Sequence, residues 1–215
     1  MQKKFSNGYL AAIIILMVIV ADQVLKFWVK TDFYLYESYE ITSWFQLNFV
    51  ENPGMAFGIE LGSKIFLTLF RIIVSAALIY AIFNIRNNPR YPRGFFVSIS
   101  LIAAGAIGNV IDCMFYGLIF SESTPFSLAT LFPDGGGYGT FLHGKVVDML
   151  YFPIVSWDWP DWIPGIGGNH FVFFQPVFNL ADAAISVGTI VLILFYSKYV
   201  MSSKEEPQSI DEEKK

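Results

Sequence analysis

The 215-residue sequence is short of charge. Lys, Arg, Asp and Glu make up only 15% of it, where an average soluble domain carries about a quarter. It has one cysteine, Cys113, and two histidines, His143 and His170. A single cysteine excludes an intramolecular disulfide and leaves no cysteine-based metal site. The two histidines lie far apart in the chain, without helical His-pair spacing or a companion carboxylate, so neither a metal nor a cofactor is expected. Cys113 itself reads as a small buried apolar residue; as a nucleophile it would need one of those histidines as its base. Basic stripes are lacking too, which excludes nucleic acid as a natural partner. The net charge is -4, and much of the acid lies in the terminal SKEEPQSIDEEKK. PDGGGYG is rich in glycine but lacks the lysine and following helix of a phosphate loop, and reads as a flexible loop.

What the chain has in quantity is apolar surface: 54% of its residues are hydrophobic and 18% aromatic. Four apolar runs, about 9–29, 62–85, 94–112 and 177–200, are each long enough to cross a hydrocarbon core of roughly 30 Å. The expectation is one polytopic membrane domain over residues 1–203, all-α in its spans, followed by a charged, disordered tail over 204–215. The first run starts like a secretory signal peptide. No small-x-small site closes it, however, and apolar character resumes beyond Asp22 through Leu25, Phe27, Trp28 and Val29, so it is read as a retained span. Ala103, Ala104, Gly105, Ala106 and Gly108 in the third run let helices approach closely in lipid. Arg71 interrupts the second run and needs to snorkel or to pair with an acid.

Lys3, Lys4, Arg86, Arg90, Arg93, Lys198 and Lys204 sort to one side, which the positive-inside rule makes cytoplasmic. Both termini are then inside, while residues 31–61 and the long stretch from Cys113 to Pro176 face out. Within the first of these, Ile41 to Val50 has the β-branched and aromatic content of a strand or hairpin. Trp157, Trp159 and Trp162 in the second suit an interfacial aromatic belt. This topology brings Asp22, Asn52, Asn109, Asp112, Asp148, Asn179 and Asp182 to one membrane boundary. Asp22 and Lys26 have i,i+4 spacing for an ion pair. Asn109/Asp112 and Asn179/Asp182 repeat an N-x-x-D pattern that puts both side chains on one helix face. Asn52, beside the Pro53-Gly54 turn, is placed either to bind an extended peptide or simply to shape that turn.

Asp148, in GKVVDMLYF, and Asp182, in FNLADAAISVG, form a candidate acid pair. Two neighbouring carboxylates cannot both ionise easily, so such a pair retains one proton near neutral pH. One member then deprotonates a water while the other protonates a carbonyl oxygen or leaving amine, and Asn109 and Asn179 are available to donate to an oxyanion. The residues alone also admit a small transporter or proton relay. A polar cluster at one boundary, instead of at the midplane, speaks against transport.

DQVLK (22–26), NPGMAFG (52–58), GAIGNVID (105–112), VVDML (146–150) and FNLADAAISVG (178–188) together resemble the lipoprotein signal peptidases, the type II signal peptidases, in content and order. The resemblance covers nearly the whole chain. It implies a four-helix aspartyl peptidase of the bacterial inner membrane, with a small periplasmic β-cradle, an extracytoplasmic loop and an active site at the outer face. The substrates implied are diacylglyceryl-modified prolipoproteins, cut before the lipidated cysteine of the lipobox, and the family is inhibited by globomycin-type compounds; membrane lipid is the remaining partner. By the same resemblance the catalytic pair falls on Asp148 and Asp182. Asn52, Gly54, Asn109 and Asn179 fall on substrate-binding positions, and Asp22, Lys26 and Asp112 on structural or orienting ones. Two departures stand out. Cys113 occupies the place of an arginine that contacts substrate in the family, and Lys145 or Arg71 is expected to take over that contact. The chain also carries two insertions, SESTPFSLATLFPDGGGYGTFLH and WDWPDWIPGIGGNH, read as a lid over the site or a contact surface for modified substrate.

Overall fold

A computed structural model describes residues 6–53, 55–56, 59–60 and 64–201. Gly54 and the charged tail lie outside the described residues.

Four helices are long and apolar enough to span a membrane. The first, α1 (Asn7–Asp32), is capped by Ser6, whose hydroxyl accepts from the Tyr9 amide. It continues past both predicted ends, because Asp22, Lys26 and Lys30 are all buried on its inward side. The chain then forms a hairpin, β1 (Ser38–Thr42) and β2 (Phe45–Asn52), where a strand or hairpin was predicted. Two short strands follow, β3 (Met55–Ala56) and β4 (Ile59–Glu60), leading into α2 (Lys64–Ile85). Pro89 and Pro92 fall in the turn that separates α2 from α3 (Arg93–Ile111), as residues without a backbone N–H should.

The predicted third span ends at 112, but the helical path runs on to Ile119. A wide π-helical turn over Asp112–Tyr116 joins α3 to α4 (Gly117–Ile119). Turns of this kind cluster at functional positions, and this one begins on a site residue. Beyond it β5 (Val146–Tyr151) pairs with β2, giving the sheet order β1-β2-β5. A separate hairpin, β6 (Val155–Asp158) with β7 (His170–Phe173), carries the second insertion. The last helix, α5 (Leu180–Met201), starts three residues later than the predicted span, because residues 177–179 are held in extended form against β5.

Helix α3 is the central post. In its apolar window 61% of residues are buried, against 17% in each of the other three spans. It packs closely on α5 and α1, and less closely on α2. The α3–α5 contact depends on Gly105, where a Cβ would lie 2.2 Å from the Ala181 carbonyl oxygen. The start of α1 meets the end of α2, with Arg86 against Gly8, and Tyr91 and Phe95 pack on Tyr196 and Tyr199 of α5. The start of α1, the end of α5 and the basic turn therefore share one end of the bundle, and the sheet caps the other.

The first insertion is built into the core. Its Ala129 is buried, with Phe120 just before it, in a cluster with Val29, Phe33, Leu47, Phe49, Val147 and Met149, and its Tyr138 packs against that cluster. Its backbone folds back on itself through Ser121 N–H to Thr130 O at 2.9 Å and Tyr138 N–H to Phe120 O at 2.9 Å.

Candidate active site

Asp148 stands in the middle of β5, across from Val50 of β2; Val146, two residues earlier, faces Asn52. Side chains two apart along a strand share a face, so Asn52 and Asp148 lie on the same side of the sheet. The strand that carries Asp148 also anchors the start of α5. Phe178 exchanges backbone hydrogen bonds with Leu150, N–H to O at 3.0 Å one way and 2.7 Å the other, and accepts from Met149 at 3.1 Å. Asn179 is thereby placed beside Asp148, to whose Oδ1 it donates from Nδ2 at 2.7 Å.

Asn179 precedes α5 directly and caps it. Its Oδ1 accepts from the Asp182 amide at 2.8 Å, the bond by which an Asn at this position satisfies an orphan helix donor. The N-x-x-D spacing is thus a cap followed by the third helical residue, and it fixes Asp182 in the first turn. Asp22, on α1, satisfies the next orphan by accepting from the Ala181 amide at 2.8 Å.

Asn109 links the two acids. Its Nδ2 donates to Asp182 Oδ1 at 2.8 Å, and its Oδ1 accepts from Asn179 Nδ2 at 3.1 Å. The same Oδ1 accepts from Lys26 Nζ at 2.9 Å. A lysine only donates, so Lys26 fixes which end of the Asn109 amide faces Asp182. Lys26 is completely buried between Asp22, at 3.0 Å, and Asp112, at 2.8 Å. Gln23 completes this layer: its Nε2 donates to Asp112 Oδ1 at 2.9 Å, and its Oε1 accepts from Tyr116 at 3.1 Å. Asp112 Oδ2 in turn accepts from the Val147 amide at 3.3 Å, next to Asp148. Gly144 permits this approach, since a Cβ there would lie 1.9 Å from the Asp112 carbonyl oxygen.

Burial, and after it the charge of Asp182, push the Asp148 carboxyl up to about 7. That is the behaviour of an acid desolvated beside a second carboxylate.

Of the residues singled out in the sequence, the structure joins Asp22, Lys26, Asn109, Asp112, Asp148, Asn179 and Asp182 in one hydrogen-bonded system. Asn52 borders it from the sheet. Cys113 is buried, as expected, and accepts from Arg71 Nη1 at 3.4 Å. Lys145, the other residue expected to replace the missing arginine, is instead engaged with Glu51 Oε2 at 2.9 Å and Glu122 Oε1 at 3.3 Å.

Sequence reasoning missed two features. Gln23 sits inside the DQVLK block, and its i,i+89 partner gives no local signal. A second buried polar cluster joins Lys30 to Glu51 and to Ser123, at 3.0 Å, and extends to Lys145. Lys30 Nζ also lies 5.0 Å from the Tyr138 ring centre, in the first insertion, and 5.3 Å from that of Phe120, which immediately precedes it. Burial alone would raise the Glu51 carboxyl, but the Lys30 and Lys145 ammonium groups hold it below the usual carboxylate range.

Residues 14–198 match the sequence model of the family described as Signal peptidase (SPase) II. A protein of Porphyromonas gingivalis named lipoprotein signal peptidase is 50% identical over 197 residues, which cover 92% of this chain and 87% of that relative. One of the same name from Amoebophilus asiaticus is 38% identical, over 84% of this chain and 75% of its own. Among solved structures, a bacterial membrane enzyme determined by the in meso method at 2.3 Å superposes with a TM-score of 0.57 and 26% identity. That match covers 93% of this chain and 94% of the other.

Proposed function

The chain belongs to the signal peptidase II family, and from that premise we propose that it is a membrane aspartyl endopeptidase whose acid pair is Asp148 and Asp182. Its substrates are prolipoproteins, by extension from relatives named lipoprotein signal peptidase. Cleavage falls before the diacylglyceryl-modified cysteine. The observation that carries the acid-pair reading is the bridge Asp148–Asn179–Asn109–Asp182, in which each carboxylate receives one amide N–H.

In this reading Asp148 is the member that holds the proton. It gives that proton to the scissile carbonyl oxygen while Asp182, in the first turn of α5, takes a proton from the attacking water. The gem-diol that forms collapses as one carboxyl gives its proton to the leaving amine and the other recovers one from a hydroxyl. Such a cycle needs a fixed separation and a shared proton count, and the two asparagines supply the first. Asn52 lies along the same sheet face, where its amide would bind the extended peptide, and Gly54 is assigned to substrate binding by the family resemblance alone. Asp22, Lys26 and Asp112 orient Asn109 and the start of α5 without touching substrate. The acid pair works at the outer face of the inner membrane, with both chain ends on the cytoplasmic side; the basic turn at the chain-end side of the bundle supports that orientation.

The test is cleavage of a diacylglyceryl-modified lipobox peptide by the purified protein, together with Asp148→Asn and Asp182→Asn. Wild type should cut before the lipidated cysteine, and both variants should bind the peptide and lose at least about a thousandfold in kcat, the scale on which general acid–base groups act. Turnover near the wild-type rate by either variant refutes the pair.

A further inference from the structure

Arg71 is a cation in the middle of an apolar helix, seven residues and so about 10 Å along α2 from Lys64. Among the described residues it has no carboxylate within ion-pair distance; its guanidinium reaches only the Cys113 thiol, at 3.4 Å. A guanidinium has five N–H donors and a thiol is a weak acceptor, so most of the donors at this depth have no match. Cys113 follows Asp112, which puts the Arg71 head group level with the buried layer that supports the acid pair.

Away from the sheet, the α2 face below Arg71 forms an open groove of about 520 Å³ against α3, lined by Ser75, Ala76, Ile79, Tyr80, Phe83 and Ile107. The 75/76, 79/80 and 83 positions repeat at one face of a helix. Ser75 brings no free donor to it, because its hydroxyl donates to the Arg71 carbonyl oxygen at 2.7 Å. From Ser75 to Phe83 the groove runs about 12 Å along α2, and Arg71 stands one helical turn above its first lining residue.

We propose that this groove is the subsite for one acyl chain of the diacylglyceryl group on the substrate, and that Arg71 holds the ester oxygens of that chain at its mouth. The inference rests on the function proposed above and names how the lipid part of the substrate is recognised. A ligand that fits must present oxygen acceptors at one end and only methylenes below. An acyl ester does both, whereas a peptide helix brings backbone and side chains too bulky for a groove between two neighbouring helices. A phospholipid is the competing occupant. Its phosphate would sit nearer the interface, by Lys64, while the ester of a lipidated cysteine held at the acid pair has to lie at the level of Cys113.

The experiment compares two diacylglyceryl lipobox peptides that differ only in acyl length, palmitoyl and butyryl, with wild type, Ala76→Phe and Arg71→Leu in the same detergent. Ala76→Phe fills the groove and should raise the ratio of the palmitoyl KM to the butyryl KM about tenfold, equivalent to ~1.4 kcal/mol. Arg71→Leu should raise both KM values by about that factor and leave their ratio near the wild-type one, because both peptides carry the ester. An unchanged ratio in Ala76→Phe means that the groove holds only bulk lipid and overturns the proposal, as does an unchanged KM in Arg71→Leu. Peptide binding is measured in parallel. If wild type binds both peptides and cuts neither, the peptidase reading fails, and the same two comparisons made on Kd decide the groove independently.

Discussion

Replacing Lys26 with methionine keeps the length of the side chain and removes its charge. In the structure Lys26 is the only cation between Asp22 and Asp112, with nitrogen-to-oxygen distances of 3.0 and 2.8 Å and no exposure to solvent. Deleting one partner of a buried ion pair costs about 3–5 kcal/mol, because the remaining charge stays uncompensated; here two carboxylates lose their common partner. For a protein of this size 1 kcal/mol corresponds to about 2–4 °C in Tm, so Lys26→Met should melt roughly 6–20 °C lower. Activity should fall as well. Lys26 also donates to Asn109 Oδ1, and without it only the longer bond from Asn179 Nδ2 holds that oxygen away from Asp182, so the Asn109 donor to Asp182 is less firmly fixed. Unfolding is followed by tryptophan fluorescence in detergent and activity by cleavage of the lipobox peptide. Combining Lys26→Met with Asp22→Asn removes one of the two stranded charges, so the double variant should lose less stability than the sum of the single changes. A Lys26→Met protein within about 1 kcal/mol of wild type, or strict additivity in the double variant, refutes this account of the buried layer.

Asp148, with its carboxyl pushed up to about 7, should give an alkaline limb: kcat falls as pH rises through about 7 and the pair loses its shared proton, which a pH–rate profile reads directly. The same shift contributes stability that is fully present below the unfolded value, about 3.9, and is lost as pH rises toward about 7, so Asp148→Asn should flatten the dependence of Tm over that window. Glu51 is held low by Lys30 and Lys145, so its contribution is present above the unfolded value and disappears only as pH falls through its depressed one. Glu51→Gln should remove that acid-side dependence, cost about 3–5 kcal/mol, and expose residues 133–137 to limited proteolysis. Gly105→Ala, whose Cβ would lie 2.2 Å from the Ala181 carbonyl oxygen, should force α5 away from α3 and lower kcat by at least about tenfold, since it pulls Asp182 off Asn109; wild-type kcat in that variant would show that the helices part elsewhere.

Hydropathy made the four spans legible because lipid demands long apolar helices whatever the tertiary detail. It was blind to their ends. α3 runs on to Ile119 because its π turn keeps the backbone bonded beyond Asp112, and α5 begins late because Phe178 is tied to Leu150. The site was legible where chemistry and local geometry coincide. Asn179 with Asp182 is both a helix cap and an acid placed at a boundary, and Asp22 with Lys26 is both a helical spacing and a charge that needs a partner. Gln23 and the Lys30–Glu51–Ser123 cluster were not, because each joins segments far apart in the chain and no residue in them is unusual for its position. By composition the PDGGGYG stretch of the first insertion reads as a flexible loop, and the insertion as a whole as a lid or a contact surface. Ala129 and Tyr138, packed with the preceding Phe120, make it part of the floor on which the sheet rests, and only the fold reveals that.

The unequal attachment of the helices has a mechanical consequence. α3 and α5 are locked by glycine contacts at Gly105 and Gly188, and α1 is bolted to both by Asp22 and Lys26. α2 packs mainly on α3 and meets α1 only near its end, where Ile82 joins Ala11 in one buried cluster. α1, α3 and α5 therefore form a closely joined three-helix frame, to which α2 is the least attached of the four spans. Under the proposed function, a cut signal helix leaving sideways past α2 would cross none of the hydrogen bonds that join Asp148 to Asp182, so product departure and the next proton transfer are expected to be separable events.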